Sequence, residues 1–455
     1  MIRSELEAVL EEHKDLLTTR SIDFFAANTI ETLDASWREY LEETPLEDVA
    51  RLLSSEDPSE PIPESLKTLK CRLKSLEFRR KSVENPRELW KFWTETDREN
   101  GLEPEFQPMT SSNSLIRKRI KAKKQHEIDR IVELIAQIQT FRNERADPID
   151  SLVDIGAGVG HLSRVIALKN QLSVLAVEGN QQFTLSANSL DEKLLQKSSK
   201  IGDFSKSPVR FTSFVTESLA TKIDEFAEKS AILVGLHCCG DFSTTILRVF
   251  ARSKKAKALV LLGCCYHKQF QSFHFLHPEK AADGITGLVN STVFPLSQKW
   301  AGFELDYVLR ESACHNNENL RFSDETPPDL ARYARAHLEK WIWSVSDDPA
   351  DRNMGLCSVK CEEGKTTFEE YIRKAMAKRG NHLLDRILEK IPESCLSVCV
   401  SSMRCSLFDS CDVIRRLFAP AIESAILDDR REFLRENGFI SRIVPLFEPT
   451  IIGFF

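Results

Sequence analysis

The sequence predicts an α/β protein with a mainly parallel sheet, a helical N-terminal region and a helical insertion. Two observations carry this prediction. Short apolar runs alternate with helical patterns between about residues 150 and 300. The first run ends at Asp154 and then breaks into alternating glycines, a pattern typical of a strand, a tight loop and a helix start.

The chain of 455 residues is long enough for two or three domains. We expect a helical region over residues 1–110 and a core over 111–325, followed by a helical insertion at 326–390 and a C-terminal completion of the core at 391–455. Apolar residues at three- and four-residue spacing indicate helices in the first region, as at Leu66, Leu69, Leu73 and Leu76.

Short apolar runs predict the strands of the core at Leu152 to Asp154, Ser173 to Val177, Val209 to Phe214, Ala231 to Leu236 and Ala258 to Leu262. Before them, a helix with Ile128, Ile131 and Ile135 on one side should lie against the sheet. After the insertion we expect a helix over residues 420–437 and strands over residues 440–447 and 450–455.

Composition and charge restrict the function classes. The net charge is -7 and the pI about 5.9, so the whole molecule does not attract nucleic acid by bulk electrostatics. Twelve cysteines in a chain of this length do not form a dense disulfide framework. No secretory signal and no apolar stretch of membrane-spanning length is evident. We therefore expect a soluble cytoplasmic or nuclear protein without membrane contact.

Two basic stretches stand out in this acidic chain, at residues 67–81 and 117–124. Each can be read as a solvated helix face or as a surface for RNA phosphates or an acidic partner. The second stretch leads directly into the helix that carries Ile128. If that helix runs antiparallel to the first strand, its first residues should lie near the ligand-binding end of the sheet, namely Lys123, Lys124, His126 and Glu127.

The glycine spacing excludes a dinucleotide fingerprint. That fingerprint requires a third small residue where this chain has His161, whereas the glycines here are Gly156, Gly158 and Gly160. At the end of the second strand, Glu178 could accept hydrogen bonds from both hydroxyls of a ribose, or it could only cap the next helix. Asp154 would suit a cationic part of the same ligand.

These residues resemble motifs I and II of the class I S-adenosylmethionine-dependent methyltransferases, which have a Rossmann-like sheet. The resemblance implies S-adenosylmethionine as the cofactor. It places the glycine loop, with Asp154, Gly156, Gly158 and Gly160, beside the amino-acid part of the cofactor. It assigns Glu178 to the ribose.

A narrower resemblance is carried by Lys-Lys-Gln-His-Glu at 123–127, Gly-Leu-His-Cys-Cys-Gly-Asp at 235–241, Gly-Cys-Cys-Tyr-His at 263–267 and Phe-Pro-Leu-Ser at 294–297. Together they are similar to a methyltransferase-like family called ribosomal RNA adenine dimethylase domain-containing proteins. The elements at 237–240 and 264–267 are also similar to a family of transfer-RNA 2′-O-methyltransferases. Both resemblances imply an RNA acceptor.

Two departures restrict what the narrower resemblance implies. Leu236-His237-Cys238-Cys239 replaces the Asn-Leu/Ile-Pro-Tyr-type motif of adenine dimethylases, so adenine N6 chemistry does not follow. Family members usually continue into a final strand that inserts into the middle of the sheet. Residues 450–455 would have to replace that strand, and we expect a truncated final strand.

Cysteines and histidines follow the fourth and fifth strands, at His237, Cys238, Cys239, Cys264, Cys265 and His267. Such side chains suit zinc. Adjacent residues of a strand point in opposite directions, however, and the spacing is not that of a C-x2-C knuckle. We therefore expect no metal. Instead, small side chains would admit the acceptor, and His237, Asp241, Tyr266 or His267 would supply hydrogen bonds or a general base.

The predicted function is methyl transfer from S-adenosylmethionine, with RNA as the favoured acceptor through residues 67–81 and 117–124. Methylation of a protein is the alternative within enzymes. A catalytically weak scaffold that binds the cofactor is the alternative from another class.

Overall fold

The computed structural model describes residues 2–54, 61–85, 88–89, 120–169, 172–196, 207–269, 294–314, 330–352, 355–378 and 381–447. Its contacts divide the chain into two compact units. A helical unit contains residues 1–77 and 305–422, and a sheet unit contains residues 78–304 and 423–455. Both units are therefore built from two separate parts of the sequence.

The helices of the described residues are, in chain order, α1 (Ile2–Glu12), α2 (Lys14–Thr18), α3 (Ala35–Glu43), α4 (Leu46–Ala50), α5 (Glu64–Leu76), α6 (Ala122–Glu144), α7 (His161–Lys169), α8 (Gln181–Leu195), α9 (Leu219–Phe226), α10 (Asp241–Arg252), α11 (Tyr307–Ser312), α12 (Leu330–Val345), α13 (Phe368–Ala375), α14 (Asn381–Lys390), α15 (Glu393–Leu396), α16 (Ser406–Leu417) and α17 (Ala419–Glu436). None of them combines the length and the apolarity needed to cross a membrane.

The helical unit has its own apolar core. Leu338 of α12, Ile372 of α13 and Ile387 of α14 are fully buried in one cluster. α13 begins with a capping box, in which the Thr367 side chain accepts from the Glu370 backbone and the Glu370 side chain accepts in return. The helices expected in the N-terminal region and in the insertion are present.

The sheet unit contains five parallel strands in the order β3-β2-β1-β4-β5. The strands are β1 (Ser151–Ile155), β2 (Ser173–Glu178), β3 (Val209–Thr212), β4 (Ala231–Cys239) and β5 (Ala256–Cys264). The order changes direction at β1, so a ligand is expected at the carboxyl ends of β1 and its neighbours. This architecture confirms the predicted α/β fold with a Rossmann-like parallel sheet.

Each face of the sheet is covered by an apolar core. Leu152 packs in one cluster with Ile131 and Ile135 of α6, while Val153 packs in another with Ile223 of α9 and Ile246 of α10. Neighbouring residues of a strand face opposite sides, which explains this alternation. The prediction that the helix with the isoleucine stripe lies against the sheet is confirmed.

One predicted strand is wrong. Residues 440–447 pair with no strand among the described residues. The backbone carbonyl of Leu446 instead accepts hydrogen bonds from the side chains of Ser82 (3.2 Å) and Arg130. These hydrogen bonds replace those that a neighbouring strand would supply. The second predicted strand, residues 450–455, lies outside the described residues.

The division into units differs from the predicted domain boundaries. Residues 391–422 belong to the helical unit, whereas we expected them to complete the core. Residues 78–85 belong to the sheet unit, and the division near the C-terminus falls inside α17. The spacing of apolar residues identifies a helix but does not show which core receives its apolar face.

Candidate methyl-transfer site

The glycine loop leaves β1 and turns directly into α7. Gly156, Gly158 and Gly160 all have positive φ, at 77°, 56° and 72°. The N–H groups of Gly156 and Ala157 donate to the Val177 carbonyl at 2.9 and 3.0 Å, which fixes the loop to β2. A side chain at Gly158 would meet no heavy atom within 4 Å, so this part of the loop exposes backbone to open space.

Glu178 ends β2 beside this loop. Its Oε2 accepts the Gly158 N–H at 2.7 Å, and its Oε1 accepts the Asn180 N–H at 2.8 Å. A carboxylate can accept about four hydrogen bonds, so capacity for two hydroxyls remains. The structure thus brings together the two elements from which the sequence predicts a cofactor site.

Asp154 lies beneath the loop. Its side chain is buried and accepts a hydrogen bond from Ser163 Oγ in the first turn of α7. Burial raises the pKa of Asp154 more than the Ser163 hydrogen bond and the Arg210 charge lower it. Asp154 therefore holds the turn from β1 into α7, and its contact with a cationic part of the cofactor stays a prediction.

Two arginines and one aspartate support the loop from below. Asp191 of α8 pairs with Arg164 of α7 and, at 2.7 Å, with Arg210 of β3. A Cβ at Gly160 would lie 2.1 Å from Arg210 Nη1, so only glycine leaves room for this guanidinium. Sequence reasoning did not find this cluster, because its members lie on separate elements without local spacing.

Phe214 is a second residue that sequence reasoning missed as part of the site. Its ring is 84% exposed, and it lies so close to Gly179 that a Cβ there would come within 3.2 Å of it. An exposed aromatic ring beside Glu178 offers a flat apolar surface on which a base could stack.

His237 lies at the carboxyl end of β4 in a conformation that breaks the strand. Its φ is 62°, and the pairing of β4 with β5 shifts between Leu236 and Cys238. The exposed imidazole uses Nε2 to reach Glu127 Oε1 of α6 at 3.0 Å. The predicted placement of Glu127 near the ligand-binding end of the sheet is confirmed.

The charge state of Glu127 determines the imidazole tautomer. Burial raises the pKa of Glu127, but the His237 hydrogen bond and the Lys124 ammonium, at 3.1 Å, outweigh burial and hold the pKa below its ordinary value. An ionised carboxylate can only accept, so His237 Nε2 must carry a proton. In the neutral imidazole, Nδ1 is then the basic nitrogen.

The structure places the other predicted catalytic residues differently. Tyr266 is 1% exposed, and its hydroxyl donates to Glu423 at 3.1 Å. Asp241 is the first residue of α10, and its carbonyl accepts the hydroxyls of two threonines one turn later. His267 is half-buried in the short turn after β5. Among the four candidates, His237 is exposed and its imidazole is held by the Glu127 carboxylate. The catalytic roles of all four stay predictions.

Three cysteine sulfurs converge at the ends of β4 and β5. Cys239, Cys264 and Cys265 place their Sγ atoms within 4.8 Å of one another, with 3.2 Å between Cys239 and Cys264. The expectation that adjacent cysteines point apart is wrong for Cys264 and Cys265, because Cys265 has a φ of 51° and leaves the strand alternation. It holds for Cys238, which is buried in the apolar core, and Cys239. The Cys264 hydrogen bond lowers the pKa of Cys239 to about 5.

The part of the chain that carries this geometry also matches a known type of domain. Residues 123–271 match a family model described as a methyltransferase domain. The match begins at the basic start of α6 and includes the glycine loop, Glu178, His237 and the three cysteines. The methyltransferase domain thus contains every predicted site residue.

Two curated relatives are similar to this chain over a longer region. The human protein named "Probable methyltransferase-like protein 25" is 28% identical over 308 residues, which are 62% of this chain and 46% of the relative. The mouse protein of the same name is 29% identical over 252 residues, which are 52% of this chain and 38% of the relative. The chain therefore matches less than half the length of these relatives.

Neither the family description nor the two names state an acceptor. They support methyl transfer in general. The narrower resemblance to ribosomal RNA adenine dimethylase domain-containing proteins stays a prediction.

Proposed function

We propose that this protein transfers a methyl group from S-adenosylmethionine to RNA. The observation that carries the proposal is the hydrogen bond from the Gly158 N–H to Glu178 Oε2. It joins the two elements expected to hold the cofactor at the carboxyl edge of a parallel sheet. The methyltransferase-domain match over residues 123–271 supports the same reaction class.

The residues at this edge fit S-adenosylmethionine. Glu178 retains acceptor capacity for the ribose hydroxyls, and the backbone at Gly158 is open to the amino-acid part. The exposed Phe214 ring would cover one face of the adenine. Together they match the polar, charged and flat parts of the molecule.

When bound, the cofactor would supply an electrophilic methyl group, which passes to the acceptor atom as its bond to the sulfonium sulfur breaks and the sulfur leaves as a neutral thioether. The protein holds the acceptor in position and removes its proton. His237 Nδ1 takes this proton, and Glu127 stabilises the imidazolium that results. Glu127 touches neither reactant in this scheme and acts as a positioning residue.

The basic stretches support RNA unequally. In residues 67–81, Arg72 pairs with Glu5 and Glu12 and Lys74 pairs with Glu77, so their charges are largely neutralised within the chain. In residues 117–124, the first three residues lie outside the described residues, and Lys121 is exposed. Lys124 connects this stretch to Glu127 and thereby to His237. RNA phosphates bound there would lie beside the proposed base.

Two measurements test the proposal in sequence. Calorimetry with S-adenosylmethionine should show binding by the full chain, and absence of binding at high micromolar cofactor would contradict methyl transfer. Transfer of a radiolabelled methyl group should then label fractionated RNA and not protein. Label on protein would favour the protein acceptor, and cofactor binding without transfer to either would favour the scaffold.

A further inference from the structure

The three cysteines of the β4 and β5 ends form a cluster whose dimensions match a metal site. Cys239 and Cys264 are the last residues of these strands and pair in register, and Cys265 follows. All three Sγ atoms lie within 4.8 Å of one another. In a tetrahedral zinc site with bonds of about 2.3 Å, neighbouring sulfurs are about 3.8 Å apart.

The surrounding backbone fixes the cluster. The Gly240 N–H donates to the Cys264 carbonyl at 3.1 Å, and the Lys268 N–H donates to the Cys265 carbonyl at 2.9 Å. The turn after β4 lies so close to the turn after β5 that a Cβ at Gly240 would come within 2.5 Å of the Lys268 carbonyl. The sulfurs thus converge because two tight turns are packed together.

We propose that Cys239, Cys264 and Cys265 bind one Zn²⁺ and leave its fourth coordination position open. Among the described residues no fourth histidine, cysteine or carboxylate joins the group. Structural zinc sites use four protein ligands, whereas three ligands and a water are typical of reactive sites. Cys264 is buried while Cys239 and Cys265 are half-buried, so the site has one face through which an ion can enter.

The electrostatic surroundings favour this ion. Three thiolates and one divalent cation carry a net charge of about -1. The Lys268 ammonium acts on both Cys239 and Cys265 and offsets that charge. The three cysteines lie at the same edge of the sheet as His237, which is near the end of β4. The open coordination position would therefore face the acceptor, and this part of the inference rests on the proposed function. The binding of the ion does not rest on it.

Metal analysis of the full-length chain, purified with a thiol reductant, tests the site. We expect about one zinc per chain by elemental mass spectrometry. Replacement by Co²⁺ should give a sulfur-to-cobalt charge-transfer band. Single variants C239S, C264S and C265S should each lose most of the metal. The matched control C357S/C361S removes two half-buried cysteines of the helical unit and should retain it.

Three outcomes would overturn the site. In the first, the reduced wild-type chain carries no zinc and gives no cobalt band, while alkylation shows that the three thiols are reduced and accessible. Another is a Cys239–Cys264 disulfide in peptides from the freshly purified chain. The third is equal metal loss in the control variant. The cobalt titration needs no variant, so a folding defect cannot obscure it. Calorimetry of the metal-free chain with S-adenosylmethionine tests cofactor binding, and hence the proposed function, separately.

Discussion

His237 Nε2 lies 3.0 Å from Glu127 Oε1, although 110 positions separate the two residues. The contact joins the helix before the first strand to the end of the fourth. Glu127 is 1% exposed and His237 is exposed, so a buried carboxylate orients an accessible imidazole. In the proposed reaction, His237 is the general base and Glu127 is the group that orients it.

Removal of the base should slow the reaction without loss of cofactor binding. We expect H237A to lower kcat by about 10²–10⁴-fold, the range of general-base catalysis. E127Q should also lower kcat, because a neutral amide no longer stabilises the imidazolium. Steady-state kinetics and cofactor calorimetry measure the two effects separately.

The matched control for E127Q is E133Q, which makes the same change at a buried glutamate six residues further along α6. It should leave kcat and its pH profile unchanged. If both glutamine variants lose activity equally, the loss is structural and Glu127 does not position His237.

Substitution of Glu178 should weaken cofactor binding. Hydrogen bonds to charged groups contribute about 1.5–3 kcal/mol, so E178A should raise the Kd for S-adenosylmethionine by about 10- to 100-fold. The exposed Glu192 of α8 provides the control, and E192A should bind normally. An unchanged Kd in E178A would remove the ribose assignment.

Asp154 should make the fold less stable at neutral pH than an amide would. Because burial raises its folded-state pKa, the folded chain holds this proton more tightly than the unfolded chain does. The ionised carboxylate therefore destabilises the fold above its folded-state pKa, and the penalty disappears as pH falls below the ordinary value. D154N should raise Tm at pH 7 by about 2 °C, which corresponds to about 1 kcal/mol in the free energy of unfolding.

The Tm difference between D154N and the wild type should shrink as pH is lowered through the folded-state pKa of Asp154. Thermal denaturation at several pH values measures it. D150N, at the opposite end of β1, should give no increase in Tm. A Tm difference independent of pH would show that the effect does not come from titration of Asp154.

Alanine substitutions at two glycines should distinguish the effect of backbone strain from obstruction of the cofactor site. Gly158 and Gly302 both have positive φ, and a Cβ at either would meet no heavy atom within 4 Å. G158A and G302A should each cost about 1–2 kcal/mol of stability from backbone strain. Only G158A should weaken S-adenosylmethionine binding in calorimetry. Equal binding by the two variants would contradict a cofactor at the glycine loop.

Charge reversal in the second basic stretch should weaken RNA association. For K118E/R119E/K121E we expect a larger loss at low salt than at high salt, because phosphate contacts release counterions. K229E/K254E/K257E makes the same charge change at exposed lysines near the start of β4 and β5. This control should leave the salt dependence, measured by filter binding, unchanged. Identical salt profiles for all proteins would rule out this surface.

The sequence predicts the sheet well because buried parallel strands are continuous apolar runs. All five predicted strands exist, but β4 and β5 extend to Cys239 and Cys264, beyond the predicted ends. Cysteine and histidine at these ends resemble the start of a loop in sequence. The glycine loop and Glu178 are predictable for a related reason, because the loop directly follows β1 and Glu178 is the last residue of β2.

Contacts between distant elements could not be predicted in the same way. The pairing of Asp191 with Arg164 and Arg210, and the convergence of Cys265 on Cys239, depend on tertiary packing and on positive φ at a residue other than glycine. The wrong prediction of a strand at 440–447 also results from tertiary packing, because Arg130 donates a hydrogen bond to the Leu446 carbonyl. Local patterns do not contain these interactions.

The division of the sheet unit between residues 78–304 and 423–455 imposes an order on its folding during translation. Arg130, Tyr266 and the backbone N–H of Leu296 donate hydrogen bonds to Leu446, Glu423 and Asp429, respectively. The ribosome must therefore synthesise all of residues 305–422 before these three hydrogen bonds can form. Such long sequence separations slow folding, so we expect the sheet unit to stay incomplete until the last helix has been synthesised.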